Sequence, residues 1–384
     1  MDIYCGLGDR VPYAEYIALI NDVFGFTGTE RDFEKLLPKL YTPARAPQAS
    51  NYVVTEDGRA VAAVGAYDHE MTVCGKTLKS RGIGNVAVHA DCRSKGYMKA
   101  TMNAALEGMI RDGVDFTALG GRRQRYQYFS YDRCGPCANF SLTPDNFRHG
   151  CKGDAPFTAR VVDDPADPVL DEIKALSDGG QLVPVRARED FLDIARSWLA
   201  SLWAVTDGDR LVGYAIMEPS RLISEVRVTN AAELVPLLHT LFAATGSATM
   251  SLRLPSYETE YIAEVWRIAE GFNEGCSMMY SVLRYRTVVD AFLCLKNTYD
   301  PLPDGELRWL IHGYAGDERL CISVQGGVPS VSELPADAPV DVELSHLDAM
   351  SVLFAPFSPL RDTLNDTARR WFPLPLWIYR ADEV

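Results

Sequence analysis

The sequence lacks the features that mark membrane-spanning and exported proteins. It has no run of about 18 consecutive apolar residues, which a transmembrane helix would require. The opening residues, MDIYCGLGDRVPYAEY, contain neither the basic nor the apolar region of a signal peptide. We therefore expect no membrane association and a cytoplasmic location.

Positive charge is also scarce. Lysine and arginine total 38 against 52 aspartate and glutamate residues, which gives a formal net charge of −14. Binding of nucleic acid needs a concentrated basic face, so we expect no nucleic-acid partner. The acidic excess either attracts cationic ligands over long range or serves solubility alone, and the sequence leaves both interpretations open.

The cysteine pattern favours reduced thiols. Nine cysteines, an odd number, are scattered through 384 residues. The motif at 134–137, CGPC, resembles the thioredoxin redox centre, but it leads into a predicted strand and not into the helix that would lower a thiol pKa. A zinc site formed by Cys134, Cys137, His149 and Cys151 would match no common finger spacing. We therefore expect no metal and keep a thiol oxidoreductase as the weakest functional hypothesis.

The length and the 47% hydrophobic content predict two or three domains. After two helical segments within residues 9–40, a hairpin is predicted from NYVVTE, a turn at Asp57-Gly58 and AVAAVGAY. The same order recurs at 202–217, around an acidic glycine turn, which indicates an internal repeat. From about Val288 the pattern changes to further strands and helices. We expect domain boundaries near residues 150 and 287.

The stretch from Ile83 to Thr117 predicts a strand, a basic glycine-containing turn, a helix and a second strand. The turn is Arg93-Ser94-Lys95-Gly96-Tyr97-Met98, and apolar residues then recur at helical spacing. The first turn of a helix presents unpaired N–H groups and a positive dipole end, so this turn predicts an anion site. The corresponding part of the repeat, Asn230 to Glu233, has no such turn.

The next segment is rich in aromatic residues. Residues 119–131 read LGGRRQRYQYFSY, which predicts a strand end followed by a short helical turn. That geometry would bring Tyr126 beside the strand Val86 to Val88. Packing in an aromatic cluster is the alternative interpretation of these tyrosines.

Together, NVAVHADCRSKGYM, the helix after it and LGGRRQRYQYFSY resemble the signature of the GCN5-related N-acetyltransferases. The degenerate repeat and the C-terminal segments DVELSHLDAMSVLF and WFPLPLWIYRADEV are similar to the enhanced intracellular survival (Eis) group. The resemblance implies an α+β fold class, with tandem acetyltransferase folds, the second degenerate, and a third domain similar to sterol carrier protein. The implied domains are residues 1–150, 151–287 and 288–384.

The resemblance also implies the cofactor, acetyl-CoA, and its site. The backbone of Val86, Ala87 and Val88 would lie along the pantetheine arm. The turn would wrap the pyrophosphate; its members are Arg93, Ser94, Lys95, Gly96, Tyr97 and Met98. Most of the wider family has Gly or Ala at the position of Met98, whereas the Eis group is larger and apolar there.

Three residues are implied in catalysis and acceptor binding. Tyr126 would donate a proton to the departing thiolate, and the C-terminal carboxylate of Val384 would act as the base. Glu383 would lie on the substrate side of that carboxylate. The alternative for the tail is a solvated, frayed chain end. Phe24, Phe26 and Phe33 precede the hairpin, and we interpret each as core packing.

These observations give one leading hypothesis and several alternatives. The leading hypothesis is an acetyl-CoA-dependent N-acetyltransferase that acts on a cationic small molecule, similar to an aminoglycoside or a polyamine. The resemblance implies a homo-oligomer, with the hexamer of the group as the expected form. The alternatives are a protein-lysine acetyltransferase and a non-catalytic protein that binds acyl-CoA or an apolar ligand.

Overall fold

The computed structural model describes residues 2–151, 153 and 155–384. Its strands are β1 Ile3–Leu7, β2 Asn51–Glu56, β3 Arg59–Val73, β4 Lys76–Val88, β5 Phe116–Leu119, β6 Asp132–Leu142, β7 Thr158–Val162, β8 Leu182–Pro184, β9 Ser201–Asp207, β10 Arg210–Met217, β11 Leu222–Val228, β12 Met250–Pro255, β13 Gly271–Val282, β14 Gly305–Gly313, β15 Gly316–Gln325, β16 Val328–Glu333 and β17 Val342–Ser345.

The α-helices lie between these strands and after them. They are α1 Tyr13–Val23, α2 Phe33–Leu36, α3 Tyr97–Arg111, α4 Arg123–Tyr126, α5 Pro144–Gly150, α6 Val169–Ser177, α7 Phe191–Ala195, α8 Leu234–Thr245, α9 Thr259–Trp266, α10 Tyr285–Tyr299, α11 His346–Phe354 and α12 Asp366–Trp371. Within the described ranges, no helix is long and apolar enough to cross a membrane.

One large mixed sheet runs through the first two thirds of the chain. Its strand order is β1-β2-β3-β4-β5-β13-β6-β12-β11-β10-β9-β7, with β8 paired to β3. Strand β13 lies between β5 and β6 and pairs with both in antiparallel fashion. The two halves of the sheet are therefore joined by a strand that comes late in the sequence.

The predicted repeat is present as two hairpins. Positive φ values of 47° at Asp57 and 84° at Gly58 fit the two-residue turn that connects β2 to β3. The second hairpin pairs β9 with β10, and its Gly208 also has a positive φ of 58°. In each copy a third strand follows, then a helix, then a strand parallel to the third: β4, α3 and β5 in the first, β11, α8 and β12 in the second. The fold is thus α+β, built on two copies of one topology.

The last part of the chain forms a second sheet with the order β16-β15-β14-β17. Helix α10 and strand β16, which were not predicted from the sequence, belong to this region. The sequence also predicts a helix from Ser358 to Arg370, and the structure has only the shorter α12 there. The boundary expected at 287 falls inside α10, and β6 lies before the boundary expected at 150 but pairs with β12 from after it. The boundaries stay a prediction.

A buried histidine connects the last region to the first. The Nε2–H of His346 donates to the carbonyl oxygen of Ser130 at 3.0 Å, and its Nδ1 accepts from the N–H of Tyr314 at 3.1 Å. The hydroxyls of Ser281 and Tyr285 lie 3.2 and 3.1 Å from the ring nitrogens. Burial lowers the pKa of His346 to about 4, although the bond to Ser130 opposes this shift.

We expect His346 to make stability fall with acid between about pH 6.5 and pH 4. Between these pH values the imidazole binds a proton in the unfolded chain, where its pKa is ordinary, but not in the folded chain. The contribution of His346 to the free energy of unfolding is therefore complete above this pH range and lost below it. The difference corresponds to about 3 kcal/mol at most. Urea unfolding at pH 7 and at pH 4.5 measures it. His346→Gln should reduce the difference between the two pH values, and an unchanged difference would contradict the assignment.

Candidate active site

Strands β4 and β5 diverge and leave an open backbone edge. They pair in parallel only from Ser80 and Phe116 to Ile83 and Leu119, whereas β4 continues to Val88. After Leu119 the chain turns through Gly120 and Gly121 into α4. The backbone of the last part of β4 therefore has no strand partner on that side, and an extended ligand can pair with it as an added strand would.

A β-bulge at Asn85 bends β4 at this point. The register between β3 and β4 shifts between Ala63 and Gly65, and Asn85 has a positive φ of 39°. The Asn85 amide is buried: its Oδ1 accepts from the Tyr41 hydroxyl at 2.9 Å, and its Nδ2 donates to Asn51 Oδ1, also at 2.9 Å. A bulge increases the local bend and leaves one residue unpaired, so this buried network fixes the divergence of the strand.

The turn after β4 has the conformation of an anion site. Ser94 and Gly96 have positive φ values of 66° and 82°, and α3 starts directly at Tyr97 and runs for 15 residues. Gly96 occupies the N-cap position and no side chain caps this end. The first N–H groups of the helix have no acceptor within the helix. A Cβ at Gly96 would meet no atom of this chain within 4 Å, so crowding does not require glycine here. The left-handed φ is the reason that glycine suits this position.

The side chains of Lys95 and Tyr97, both in this turn, interact with the Glu56 carboxylate. Lys95 Nζ lies 2.7 Å from Glu56 Oε1, and the Tyr97 hydroxyl donates to the same carboxylate. Lys95 does not line the cavity described below, so its side chain reaches the end of β2 and not the cleft. Arg93 is exposed and lines the cleft.

Tyr126 ends α4 and is held against a glycine. A Cβ at Gly121 would lie 2.7 Å from Cε2 of Tyr126, so only glycine permits this packing. The ring is 7% exposed and packs in a core with Leu106, Leu119 and Met279. Burial raises the pKa of the Tyr126 hydroxyl, and the neighbouring Arg125 opposes the shift. The hydroxyl therefore keeps its proton at neutral pH.

Val384 lies on β4 of the first copy. A Cβ at Gly82 would come within 2.4 Å of Val384 Cγ2, and a Cβ at Gly84 within 3.2 Å of the Val384 carboxyl carbon. Two glycines thus make room for the last residue of the sequence. The solvated, frayed chain end considered for the tail is not what the structure contains.

The tail is anchored by buried ion pairs with the second copy. Arg186 follows β8 and binds two carboxylates, Asp382 at 2.7 Å and Glu225 at 2.8 Å. Burial raises the pKa of the Asp382 carboxyl, but Arg186 and His69 together have the larger effect and hold that pKa well below its usual range. Lys39 donates to the carbonyl oxygens of Ala381 and Glu383 at 2.6 and 2.7 Å. Burial lowers the pKa of Lys39 to about 7.

A cavity of about 1180 Å³ brings most of the predicted residues together. Its lining includes Val86, Val88, Arg93, Ser94, Gly96, Tyr97, Met98, Tyr126 and Val384. Three predicted residues lie outside it. The Ala87 side chain faces the core around α1, Lys95 reaches Glu56, and the Glu383 carboxylate pairs with Arg380.

Other lining residues were not assigned to the site from the sequence. Lys99, Arg125 and Tyr128 belong to the predicted helix and the aromatic segment, so their proximity in sequence was the available signal. Trp198 comes from the second copy, and no local pattern marks it. Phe24, Phe26 and Phe33 all line the cavity. Phe33 is 4% exposed, as expected for core packing, whereas Phe26 is half-buried and Phe24 is 45% exposed.

The cysteine motif lies within β6. Cys134 and Cys137 are both buried, and burial raises the pKa of each thiol. A raised pKa opposes thiolate formation, and no helix starts at the motif. In the part of the chain that the structure describes, no group of three or more His, Cys, Asp or Glu side chains could hold a metal ion.

Comparisons with known proteins agree with this geometry. The family described as Acetyltransferase (GNAT) domain matches residues 12–135. A probable N-acyltransferase from Enterococcus faecalis V583 has a similar structure, with a TM-score of 0.66, 15% identity, and coverage of 91% of this chain and 89% of that chain. A GCN5-related N-acetyltransferase from Anabaena variabilis gives a TM-score of 0.66 with 12% identity and 98% coverage of both chains.

A further solved structure covers the whole chain. Eis1 from Mycobacterium abscessus gives a TM-score of 0.61, 12% identity, and coverage of 100% of both chains. At such identities these likenesses show the fold alone. No curated protein matches the sequence. Residues 12–135 therefore match the acetyltransferase (GNAT) domain family, and the fold of the chain as a whole is similar to that of solved N-acetyltransferase structures.

Proposed function

We propose that this chain transfers the acetyl group of acetyl-CoA to an amine of a small molecule. The observation that carries the proposal is one cavity lined by residues of the open edge of β4 and of the uncapped start of α3, by Tyr126 and by Val384. Each part would meet one requirement of acyl transfer. These requirements are binding of the pantetheine arm, binding of the phosphates, donation of a hydrogen bond to the leaving thiolate, and removal of a proton from the amine.

The cavity fits acetyl-CoA at the end that contains the turn. The backbone of Val86 and Val88 would pair with the pantetheine arm, and the N–H groups from Ser94 to Met98 would donate to the pyrophosphate. Arg93, Lys99 and Arg125 line the cavity and supply positive charge for phosphates. When bound, acetyl-CoA supplies an acyl group activated as a thioester.

Tyr126 would act on the leaving sulfur. Because burial raises its pKa, its hydroxyl holds a proton and can donate it as the carbon–sulfur bond breaks. A thiol titrates near 8.5, below an ordinary tyrosine near 10, so complete proton transfer from the phenol is uphill. Donation of a hydrogen bond to the developing negative charge on sulfur is sufficient to stabilise it.

The Val384 carboxylate would serve the amine. A free α-carboxyl group titrates near 3.5 and an alkylammonium near 10, so direct deprotonation of the ammonium is strongly uphill. The carboxylate is better suited to bind the neutral form of the amine, which attacks the thioester, and to accept the proton that its nitrogen loses as the carbon–nitrogen bond forms, since the nitrogen becomes more acidic then. The ion pair between Arg186 and Asp382 would hold the Val384 carboxylate in place.

Several finer points accompany this proposal. The resemblance to the Eis group suggests aminoglycosides and polyamines as acceptors, with protein lysines as the alternative class. It also suggests a homo-oligomer, with a hexamer as the form expected from the group, and a last domain similar to sterol carrier protein. A non-catalytic carrier of acyl-CoA is the competing function. Arg93, Gly96 and Tyr126 are all present in the first copy, whereas the second copy lacks the basic glycine turn, and this difference favours a working site over a carrier.

We expect thiol release from acetyl-CoA to depend on an added amine. The purified chain is incubated with acetyl-CoA and a panel of arylalkylamines, polyamines, an aminoglycoside and lysine peptides, and free thiol is followed with time. Mass spectrometry of the amine should show the added acetyl group. Tight binding of acetyl-CoA without thiol release for any amine would contradict the enzyme and favour the carrier.

A further inference from the structure

The acceptor end of the cavity is apolar. Part of its wall is formed by Val23, Phe24, Phe26, Phe33, Leu36, Leu37 and Trp198. Several of these side chains pack in the same apolar cluster as Val384. The rings of Phe24 and Phe26 pack around Phe33, with centroids 5.1 and 5.4 Å from it. These side chains can surround a hydrocarbon or aromatic body but offer it no charge.

Negative charge in the cavity is limited to one group. Among the described residues that line it, no Asp or Glu side chain is present, and the Val384 carboxylate is the acidic group. The acidic residues of the tail are already paired, Asp382 with Arg186 and Glu383 with Arg380. The overall acidity of the chain therefore does not extend to this surface.

Trp198 is held at the acceptor end by two features. Trp198 and Leu199 have left-handed φ values of 64° and 59°, which are costly for residues of this size. The guanidinium of Arg380 lies 3.9 Å from the centroid of the Trp198 ring. The ring thus already faces a cation of this chain, which leaves it less able to attract the cation of a ligand.

We infer that the acceptor is a monoamine whose single nitrogen is attached to an aromatic or branched apolar body, such as an arylalkylamine. This inference rests on the proposed function and deepens it. The amine nitrogen would meet the Val384 carboxylate, and the apolar body would contact Phe24, Phe26 and Trp198. A polyamine or an aminoglycoside would have to place further ammonium groups against these side chains, where they would lose water without gaining a partner.

The apolar wall has one other possible occupant, an acyl chain longer than acetyl. The Val384 carboxylate argues against it, because Val384 packs in the same cluster as Phe26 and Trp198 and a hydrocarbon chain gains nothing beside a carboxylate. An amine uses both the carboxylate and the wall. The acyl-chain alternative therefore becomes an outcome of the test.

The test compares acceptors with acetyl-CoA held at saturation. We expect kcat/KM for 2-phenylethylamine to exceed that for spermidine and for an aminoglycoside by about tenfold or more. Phe24→Ala should raise the KM for 2-phenylethylamine by about tenfold, with an unchanged KM for acetyl-CoA. Phe24 is 45% exposed, so this variant should fold. Phe357→Ala, at a ring 78% exposed in the third region and outside the cavity lining, is the matched control.

The outcomes separate the two proposals. A higher kcat/KM for spermidine or the aminoglycoside would overturn the inference while leaving the acetyltransferase intact. A preference for octanoyl-CoA over acetyl-CoA that is lost in the Phe24→Ala variant would also overturn the inference. Absence of thiol release with every amine, despite acetyl-CoA binding, would instead overturn the proposed function.

Discussion

Adding two residues after Val384 is expected to lower kcat by about 10²- to 10⁴-fold, the range typical of removing a general base. The extension moves the charged group away from β4, where Gly82 and Gly84 accommodate the terminal valine. Acetyl-CoA binding should change little, because the turn at the other end of the cavity is untouched. Steady-state kinetics with an amine, together with a direct measurement of acetyl-CoA affinity, checks both parts.

Two variants sharpen this test. Val384→Ala retains a terminal carboxylate and should retain most of the turnover. Gly82→Ala places a methyl group within 2.4 Å of Val384 Cγ2 and should impair turnover, and Val384→Gly in the same chain should relieve the clash. If the extended chain turns over as fast as the original, the terminal carboxylate is not the base.

Tyr126→Phe is expected to lower kcat by about 10²-fold or more while leaving acetyl-CoA affinity nearly unchanged. The substitution removes one hydroxyl from a ring that is 7% exposed and packed against Gly121, so the fold should be preserved. Loss of a group that interacts only with the leaving sulfur affects the transition state more than the bound substrate. Initial rates at saturating and limiting amine separate kcat from KM.

The matched control is Tyr4→Phe, because Tyr4 lies outside the cavity lining and its hydroxyl donates to the carbonyl oxygen of Leu7 at 3.0 Å. It should leave kcat unaltered. Equal losses of acetyl-CoA affinity and of kcat in Tyr126→Phe would indicate that the hydroxyl serves binding, and would contradict its role on the leaving group.

The parts of the fold set by local sequence were predictable. The Asp57-Gly58 turn requires positive φ at both positions, which Gly adopts freely and Asp tolerates better than most residues, so the hairpin could be recognised directly. Helix α3 follows a glycine-containing turn and carries apolar residues at helical spacing. The short helical turn that contains Tyr126 was likewise indicated by its own segment. For these elements the nearest neighbours in sequence are also the main structural determinants.

The features that shape the site depend on distant residues. The bulge at Asn85 is fixed by Tyr41 and Asn51, and neither is near Asn85 in sequence. Trp198 reaches the cavity from the second copy, and Arg186 holds the tail through Asp382. No periodicity or motif encodes such contacts, so the apolar part of the cavity wall could not be foreseen. The cationic acceptor that the resemblance implies stays a prediction, and the total charge of the chain says nothing of where the charges lie.

The last third was predicted least completely. Helix α10 was missed, although it buries Val288, Val289 and Phe292. Strand β16 was missed because it alternates weakly and is mostly exposed at the edge of its sheet. Where a segment is buried by packing against another region of the chain, its own pattern of apolar and polar residues predicts its secondary structure poorly.

The central position of β13 has a consequence for folding during synthesis. Val282 pairs with Phe116 and Gly271 with Ser141, so the sheet closes only when residues far apart in sequence meet. Closing such long loops costs entropy before any contact stabilises the chain, and contacts of high sequence separation slow folding. We therefore expect that the segment matching the acetyltransferase family completes its sheet only after β13 has been synthesised. Until then the edge of β5 is unpaired, and a fragment that ends near residue 135 should aggregate rather than fold alone.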